Sequence, residues 1–413
     1  MNILIVTPYF HPENFRINDF AHGFKKKGHN ISVLTPIPNY PEGKYYNGYG
    51  LFKRTRENID NIRIFRSPII PRGSGSNCML GLSWISSIIG NVFTSITLLR
   101  YKFDLIFVFG PSPFTICLPA IFIKKIKKIP IIFWVLDLWP ESVISAGNLK
   151  SGIIPRMLIP IVKFIYTHSD RILVSSKGFI KSIVEKGINR NKIQFFPQWA
   201  EPVFKPISST DKKLPDVPEN SFVIMFAGNI GEAQDFESII KTAHKLSEHK
   251  TIHWVILGSG RKELWVKKEI EILGINDTFH MMGRYPLEDM PEFYSLADVM
   301  LISLKREYIF SLTIPAKLQS YLACGKPILA MLDGEAPKII KEANAGLTCK
   351  SEDADRLADN ILKMYSLESN HISQMGVNAL NLYTRMFSRN TLLNQAEQIF
   401  HRMINYKHNT DLK

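Results

Sequence analysis

The sequence predicts an α/β protein of two parallel-sheet domains. Three observations predict it. Short apolar runs alternate with helix-period segments along most of the 413 residues. That length is more than one such domain usually needs. Residues 197–220 carry five prolines and no periodicity, and read as a linker between two sets of alternations. The expected domains are residues 1–200 and 201–391, followed by a tail at residues 392–413. That tail carries Leu393, Ala396, Ile399, Phe400 and Met403 at helical spacing and needs a partner surface.

Composition narrows the class. With 45% hydrophobic and 21% charged residues, this is a folded globular chain. The net charge of +14 is unevenly spread: residues 1–202 sum to +15 and residues 203–413 to −1. An anionic partner for the first half follows: a membrane surface, a phosphorylated substrate or nucleic acid. No nucleic-acid motif accompanies the charge, so nucleic acid is not expected. Cys78, Cys117, Cys324 and Cys349 are scattered, which supports neither disulfides nor zinc and suits a reducing cytoplasm. Met1 and Asn2 run straight into an apolar strand with no basic n-region or cleavage site, so no secretory signal is expected.

Taken in order, residues 3–6 form a strand, residues 7–14 a loop, residues 16–27 a helix and residues 30–34 a second strand. The loop lacks GxGxxG, so a dinucleotide fingerprint is not expected there. Residues 36–60, rich in Pro, Gly, Tyr and Asn, read as a long mobile loop. Residues 78–99 carry no charge over 22 positions. Gly, Ser, Thr and Asn dilute the segment, which favours a helix dipping into one leaflet over a transmembrane span. Residues 104–109 form a strand, and residues 114–128 a helix ending in Lys124, Lys125, Lys127 and Lys128. Those lysines suit a helix C-terminus, and beside an uncharged helix also an anionic leaflet. The strand at residues 130–136 empties into Asp137 and Glu141, two carboxylates at a strand end where α/β ligands bind, or plain helix caps. Residues 171–174, 177–186 and 192–196 complete the first half.

The second half has strands at residues 222–227, 252–257, 279–282 and 299–303, with helices at 235–248, 261–273 and 290–296. Three strand ends carry glycine: Gly228, Asn229 and Gly231; Gly258 and Gly260; Gly283 followed by Arg284. Glycine lets a backbone approach a phosphate, and the next helix offers its N-terminus. The fourth such turn organises the chain. Residues 313–327 read TIPAKLQSYLACGKP, with Pro315 at the first helical position, Leu318, Tyr321 and Leu322 on one face, and Gly325 as the stop. Lys317 adds a cation to that helix start. Four such loops in register suit a nucleotide diphosphate, and no P-loop is present.

On these residues the chain resembles the family 4 glycosyltransferases of the GT-B fold over essentially its whole length. The stretches that carry the resemblance are FWVLDLWPESV (133–143), FAGNIGEAQDFE (226–237), MGRYPLEDMPEFYSLAD (282–298), IPAKLQSYLACGKP (314–327) and DGEA (333–336). More narrowly, it is similar to the WbuB-like N-acetyl-L-fucosaminyl transferases of O-antigen and capsule assembly. The resemblance implies two Rossmann-like parallel-sheet domains facing a cleft, the second binding a UDP-sugar, with residues 392–413 crossing back to the first. It also implies metal-independent transfer with retention, no cofactor, and a lipid-linked saccharide acceptor at the inner face of the bacterial plasma membrane. Residue by residue, Gly228, Asn229, Gly231 and Lys317 would face the diphosphate, with Gly258 in the neighbouring loop. Gly283 and Arg284 would lie near uracil and ribose, and Gly334 and Glu335 near the sugar or phosphates. Asp137 and Glu141 would orient hydroxyls, Asp137 being the better proton acceptor.

The chain departs from the family in three places. Leu312 and Ser320 stand at the positions of the E-x7-E motif. Glu232, Ala233 and Gln234 replace the Arg/Lys that follows the first glycine loop. Leu136 stands where many relatives have a histidine. Two other readings share the architecture: a UDP-sugar 2-epimerase, and a non-catalytic scaffold of a polysaccharide assembly complex.

Overall fold

The computed structural model describes residues 1–73, 77–145 and 153–411. The chain forms two compact units, Met1–Phe196 with Asn390–Lys413, and Pro197–Arg389.

The first unit holds an eight-stranded sheet. Its strands are β1 (Asn2–Val6), β2 (Asn30–Pro36), β3 (Arg56–Ile59), β4 (Ile62–Ser67), β5 (Leu105–Gly110), β6 (Ile131–Val135), β7 (Arg171–Val174) and β8 (Ile193–Phe195). The order is β3-β4-β2-β1-β5-β6-β7-β8, parallel throughout except for β3. β5 and β6 are buried along their whole length, as continuous apolar runs in a covered parallel sheet must be. Its helices are α1 (Arg16–Lys26), α2 (Asn77–Leu98), α3 (Cys117–Lys127), α4 (Glu141–Ser145), α5 (Ile153–His168) and α6 (Gly178–Glu185).

Two features differ from the expectation. Residues 36–60 are not one open loop: β3 pairs antiparallel with β4. Tyr45 donates from its hydroxyl to the Ile69 carbonyl at 2.6 Å, and Tyr46 to that of Tyr40 at 2.7 Å. The tyrosines that made the stretch look loop-like are its fastenings. The helix α5 is new, and Pro160 inside it hides the helical period.

The second unit holds β9 (Phe222–Ala227), β10 (Ile252–Leu257), β11 (Phe279–Gly283), β12 (Val299–Ser303), β13 (Ile328–Met331) and β14 (Gly346–Cys349), all parallel, in the order β11-β10-β9-β12-β13-β14. Its helices are α7 (Phe236–Lys245), α8 (Glu263–Ile272), α9 (Met290–Ser295), α10 (Tyr308–Leu312), α11 (Ala316–Ala323), α12 (Glu335–Glu342), α13 (Ala354–Tyr365) and α14 (Ser369–Met386). Trp254, Phe226, Phe236 and Leu357 anchor the core. This strand order reverses direction between β9 and β12, and ligands of open α/β sheets bind at such a switch point.

The last helix, α15 (Arg389–Asp411), belongs to the first unit from Asn390 onward. Phe400 packs 5.1 Å from Phe24 and 5.3 Å from Phe107, ring to ring. Glu397 pairs with Lys27 and His29, each at 2.7 Å. Residues 412 and 413 lie outside the described residues.

Candidate functional site

In the second unit the glycine loops sit at the ends of adjacent strands and are stitched together by their backbones. The Gly228 N–H donates to the Leu257 carbonyl at 2.8 Å, that of Gly258 to Gly283 at 2.6 Å, and that of Ile230 to Ser259 at 3.0 Å. Gly258, at φ 147°, leaves no room for a side chain: a Cβ there would lie 1.8 Å from the Gly228 oxygen. Gly334, at φ 92°, is equally constrained, with Ser311 O 1.7 Å from a built Cβ. At Gly231 a Cβ would meet the Asn229 amide at 2.5 Å, whereas Gly283, at φ 76°, faces open space. Gly228 and Asn229 are exposed, as is Arg284, which has no ion pair among the described residues. Glu335 opens α12 just after Gly334.

The helix α11 is pinned to this array by Tyr321. Its hydroxyl accepts from the Ala227 N–H at 2.9 Å and donates to the Ala227 carbonyl at 3.0 Å. One turn earlier, Lys317 therefore reaches the Gly228 turn, its Nζ 3.2 Å from where a Gly228 Cβ would stand. The stem of Lys317 is partly exposed, but Nζ is fully buried without a hydrogen-bond partner, 3.6 Å from the Phe226 ring centroid. Burial pulls its pKa down to about 7. Pro315 is the N-cap, one position before its expected place.

The sequence places an acid, Glu232, where relatives carry a base. The structure shows what it does: Glu232 draws in Lys305, and Lys262 at 2.9 Å. Lys262 also pairs with Glu237. Sequence reasoning missed these two lysines. The available signal was their position, each just beyond a strand-end turn of the same sheet.

In the first unit, Asp137 follows β6 and accepts from the Ser112 N–H and hydroxyl, both at 2.8 Å. Trp139 donates from its indole to the same Ser112 hydroxyl at 3.0 Å. Glu141 is not its companion. It accepts from Ser182 and Lys186, both at 2.6 Å, and ties α4 to α6. That corrects its expected role as a hydroxyl-orienting group: its charge is already neutralised by Lys186, and Lys186 is only 10% exposed. Among the described residues no three His, Cys, Asp or Glu side chains gather as a metal site.

Residues 208–381 match the model for "Glycosyl transferases group 1", and residues 14–199 that for "Glycosyl transferase 4-like domain". The chain is 24% identical to WcaI of Escherichia coli (strain K12), named for glycosyl transfer in colanic acid biosynthesis. That match runs over 341 residues, 79% of this chain and 82% of WcaI. It is 30% identical to the glycosyltransferase WbjE of Pseudomonas aeruginosa over 247 residues, 57% of this chain and 60% of that one. In fold it is similar to Anabaena HepE, solved with UDP, with TM-score 0.70, 12% identity, and 97% and 100% of the two chains covered. The protein is a glycosyltransferase of the GT-B fold. Within that class it belongs to family 4, with a 4-like first domain and a group 1 second domain. Neither the family matches nor the relatives' names support the epimerase reading.

Proposed function

We propose that this enzyme moves a sugar from a UDP-sugar to a lipid-linked, undecaprenyl-diphosphate saccharide in the assembly of an O-antigen or capsular polysaccharide. The motif resemblance favours N-acetyl-L-fucosamine as that sugar. One observation carries the donor side: a buried, unpartnered lysine aimed at a glycine turn on the β9 strand end. A buried amine without a partner is costly unless a ligand supplies the counter-charge. A diphosphate supplies it. HepE, which shares the fold, was solved with UDP, and WcaI is named for a polysaccharide pathway.

The chemistry follows from these residues. As the bond from the anomeric carbon to UDP breaks, negative charge gathers on the diphosphate. Lys317, Arg284 and the loop N–H groups of Asn229 and Gly231 stabilise it. Removing one preorganised donor of this kind costs roughly 3 kcal/mol of barrier, about a hundredfold in rate. Gly334 and Glu335 hold the sugar. Asp137, held by Ser112, takes the proton of the acceptor hydroxyl. Transfer proceeds with retention and needs no metal.

The enzyme works at the cytoplasmic face of the bacterial plasma membrane. Support comes from α2, whose stretch Cys78–Leu98 is long and apolar enough to cross a bilayer by length and composition. It is built inside out. Leu82, Ile85, Ile89, Phe93 and Ile96 are exposed, while Ser83, Ser87, Asn91 and Ser95 are buried. The polar side is engaged with the protein: Ser67 donates to Asn91 at 3.0 Å, and Gly90 lies so close to Pro68 O that a Cβ would come within 2.1 Å. That arrangement suits a helix lying in one leaflet.

The test is UDP release by the purified protein in detergent, given UDP-N-acetyl-L-fucosamine and a synthetic prenyl-diphosphate N-acetylglucosamine, with EDTA present. Release that needs the lipid acceptor and survives EDTA is the expected result. UDP binding with no turnover across a panel of UDP-sugars would sink the proposal and favour a scaffold.

A further inference from the structure

The second sheet ends on β11, an edge strand that pairs with β10 alone. Of its five residues only Phe279 is buried, so packing does little to hold it. Its far end is the Gly283–Arg284 turn, where the Gly258 N–H donates to the Gly283 carbonyl. Its near end is joined to β10 by a pair of histidines.

His280 of β11 stands opposite Val255 of β10 in register. Side chains alternate along a strand, so His253 and His280 share one face of the sheet. His253 Nδ1 lies 2.9 Å from His280 Nε2. The ring centres are 5.2 Å apart and the planes 11° from parallel. That separation is the nitrogen gap plus two ring radii. The rings therefore meet edge to edge, nearly in one plane, with the hydrogen bond on the line of centres.

The protons follow from the partners. His253 Nε2 faces the Lys250 carbonyl at 3.1 Å. A carbonyl only accepts, so Nε2 carries the proton and Nδ1 of the neutral ring is bare. The proton between the rings then belongs to His280 Nε2, and His280 Nδ1 is bare as well. A first added proton goes to His280 Nδ1 and leaves the bond between the rings intact. A second has only His253 Nδ1 to go to, and that nitrogen is the acceptor of the bond. It would set N–H against N–H and two cations on touching rings, with His253 only 3% exposed.

The charged groups that act on the pair are Asp216, in the chain leading into β9, and Asp277, in the turn before β11. Both are exposed and favour a proton on His280. Burial outweighs them. It holds both imidazoles below their ordinary range, and His253 adds to the effect on His280. A base depressed in the joined state takes up protons more readily once released. Acid therefore favours release: the joint is whole above the ordinary value of 6.5 and weakens as pH falls below it.

We propose that His253 and His280 form an acid-released clasp: with one added proton or none they hold β11 to β10, and a second frees the edge strand and with it the Gly283–Arg284 turn. The consequence for the donor rests on the reading of that turn as a UDP contact, and adds its regulation by pH.

The experiment is hydrogen exchange of the full chain in detergent, read by mass spectrometry as protection factors, which already allow for the intrinsic effect of pH. In wild type the protection of residues 279–283 should fall about tenfold or more between pH 7 and pH 5. That of residues 222–227, in the middle of the same sheet, should hold. Glutamine at position 280 donates through its amide N–H or, with the amide turned, accepts, so it suits His253 in either state. His280→Gln should therefore keep its protection at pH 5. Unchanged protection of β11 in wild type, an equal fall in His280→Gln, or an equal fall in residues 222–227 would each overturn the clasp. Calorimetric titration with UDP at the same two pH values tests the donor consequence separately. Wild type should lose severalfold more affinity than His280→Gln, because proton binding by UDP itself is common to both. An equal loss, with β11 released in wild type alone, would leave the clasp standing and remove Gly283 and Arg284 from the UDP site.

Discussion

The Nζ of Lys317 sits 3.6 Å from the centre of the Phe226 ring and beside the Gly228 turn, buried and without a hydrogen-bond partner. Tyr321, one turn further along α11, clamps the end of β9 and fixes this relationship. With its pKa lowered to about 7 by burial, Lys317 is largely neutral at pH 8 until an anion arrives.

UDP binding should therefore take up a proton. At pH 8 the terminal phosphate of UDP is ionised already, so uptake reports the protein. Titration in buffers of different ionisation enthalpy should show nearly one proton taken up per UDP bound. Lys317→Met should abolish the uptake, weaken UDP binding and lower transfer about a hundredfold. Equal uptake in that variant would remove Lys317 from the donor site.

The same group makes stability depend on pH. Its folded pKa of about 7 lies below the ordinary value of 10.5. Between these values the unfolded chain holds the extra proton, so stability rises with pH across that window and is lowest at and below pH 7. Each unit of depression corresponds to about 1.4 kcal/mol. Lys317→Met is expected to melt above wild type at pH 7, with the gap closing by pH 10. A constant gap across melting curves at pH 7, 8, 9 and 10 would contradict the buried amine.

Much of this was legible in the sequence because strand ends in α/β proteins are punctuated. Gly228, Gly258 and Gly283 mark three adjacent strand ends, and the structure puts them side by side. Lys317 was legible as a charge at a helix start, but its burial was not, since that depends on Tyr321 reaching Ala227 across 94 residues of chain. Glu232 looked like a missing cation. Only the fold reveals that it gathers Lys262 and Lys305. Glu141 misled for the opposite reason: its partner Lys186 is 45 residues away and leaves no local signature.

The glycines should separate by mechanism. Gly258→Ala puts a Cβ 1.8 Å from a backbone oxygen at φ 147°, so the Gly228 turn must move. A loss of at least about 2 kcal/mol of stability is expected, with UDP binding lost alongside. Gly283→Ala has a free approach, and only its φ of 76° costs, about 1–2 kcal/mol. Urea unfolding of the two variants should rank them in that order, and the reverse ranking would refute the close approach of the two loops.

The two carboxylates of the first domain should part in the same way. Asp137→Asn should keep the melting temperature and lower kcat, because its partners are one short loop's N–H and hydroxyl. Glu141→Gln leaves Lys186 half-paired in a nearly buried place, at a cost of about 1–3 kcal/mol. Its kcat, measured well below the melting temperature, should stay near wild type. A Glu141→Gln enzyme that is stable but slow would return Glu141 to the chemistry.

The exposed side of α2 offers the membrane test. Ile89 and Phe93 are 52% and 66% exposed, so replacing them removes little packing. Glutamate at either position puts a charge where an interfacial helix meets lipid and opposes the anionic surface besides. Ile89→Glu and Phe93→Glu should each lower sedimentation with phosphatidylglycerol vesicles severalfold, with an unchanged melting temperature. Asn91→Leu, on the opposite side, should do the reverse. It removes the acceptor of the Ser67 hydroxyl and the hydrogen bonds to Ser87, and so destabilises the fold while the lipid-facing surface stays intact. If instead the glutamate variants lose stability and keep their vesicle binding, the apolar side of α2 is packed against protein in solution and the bilayer contact lies elsewhere.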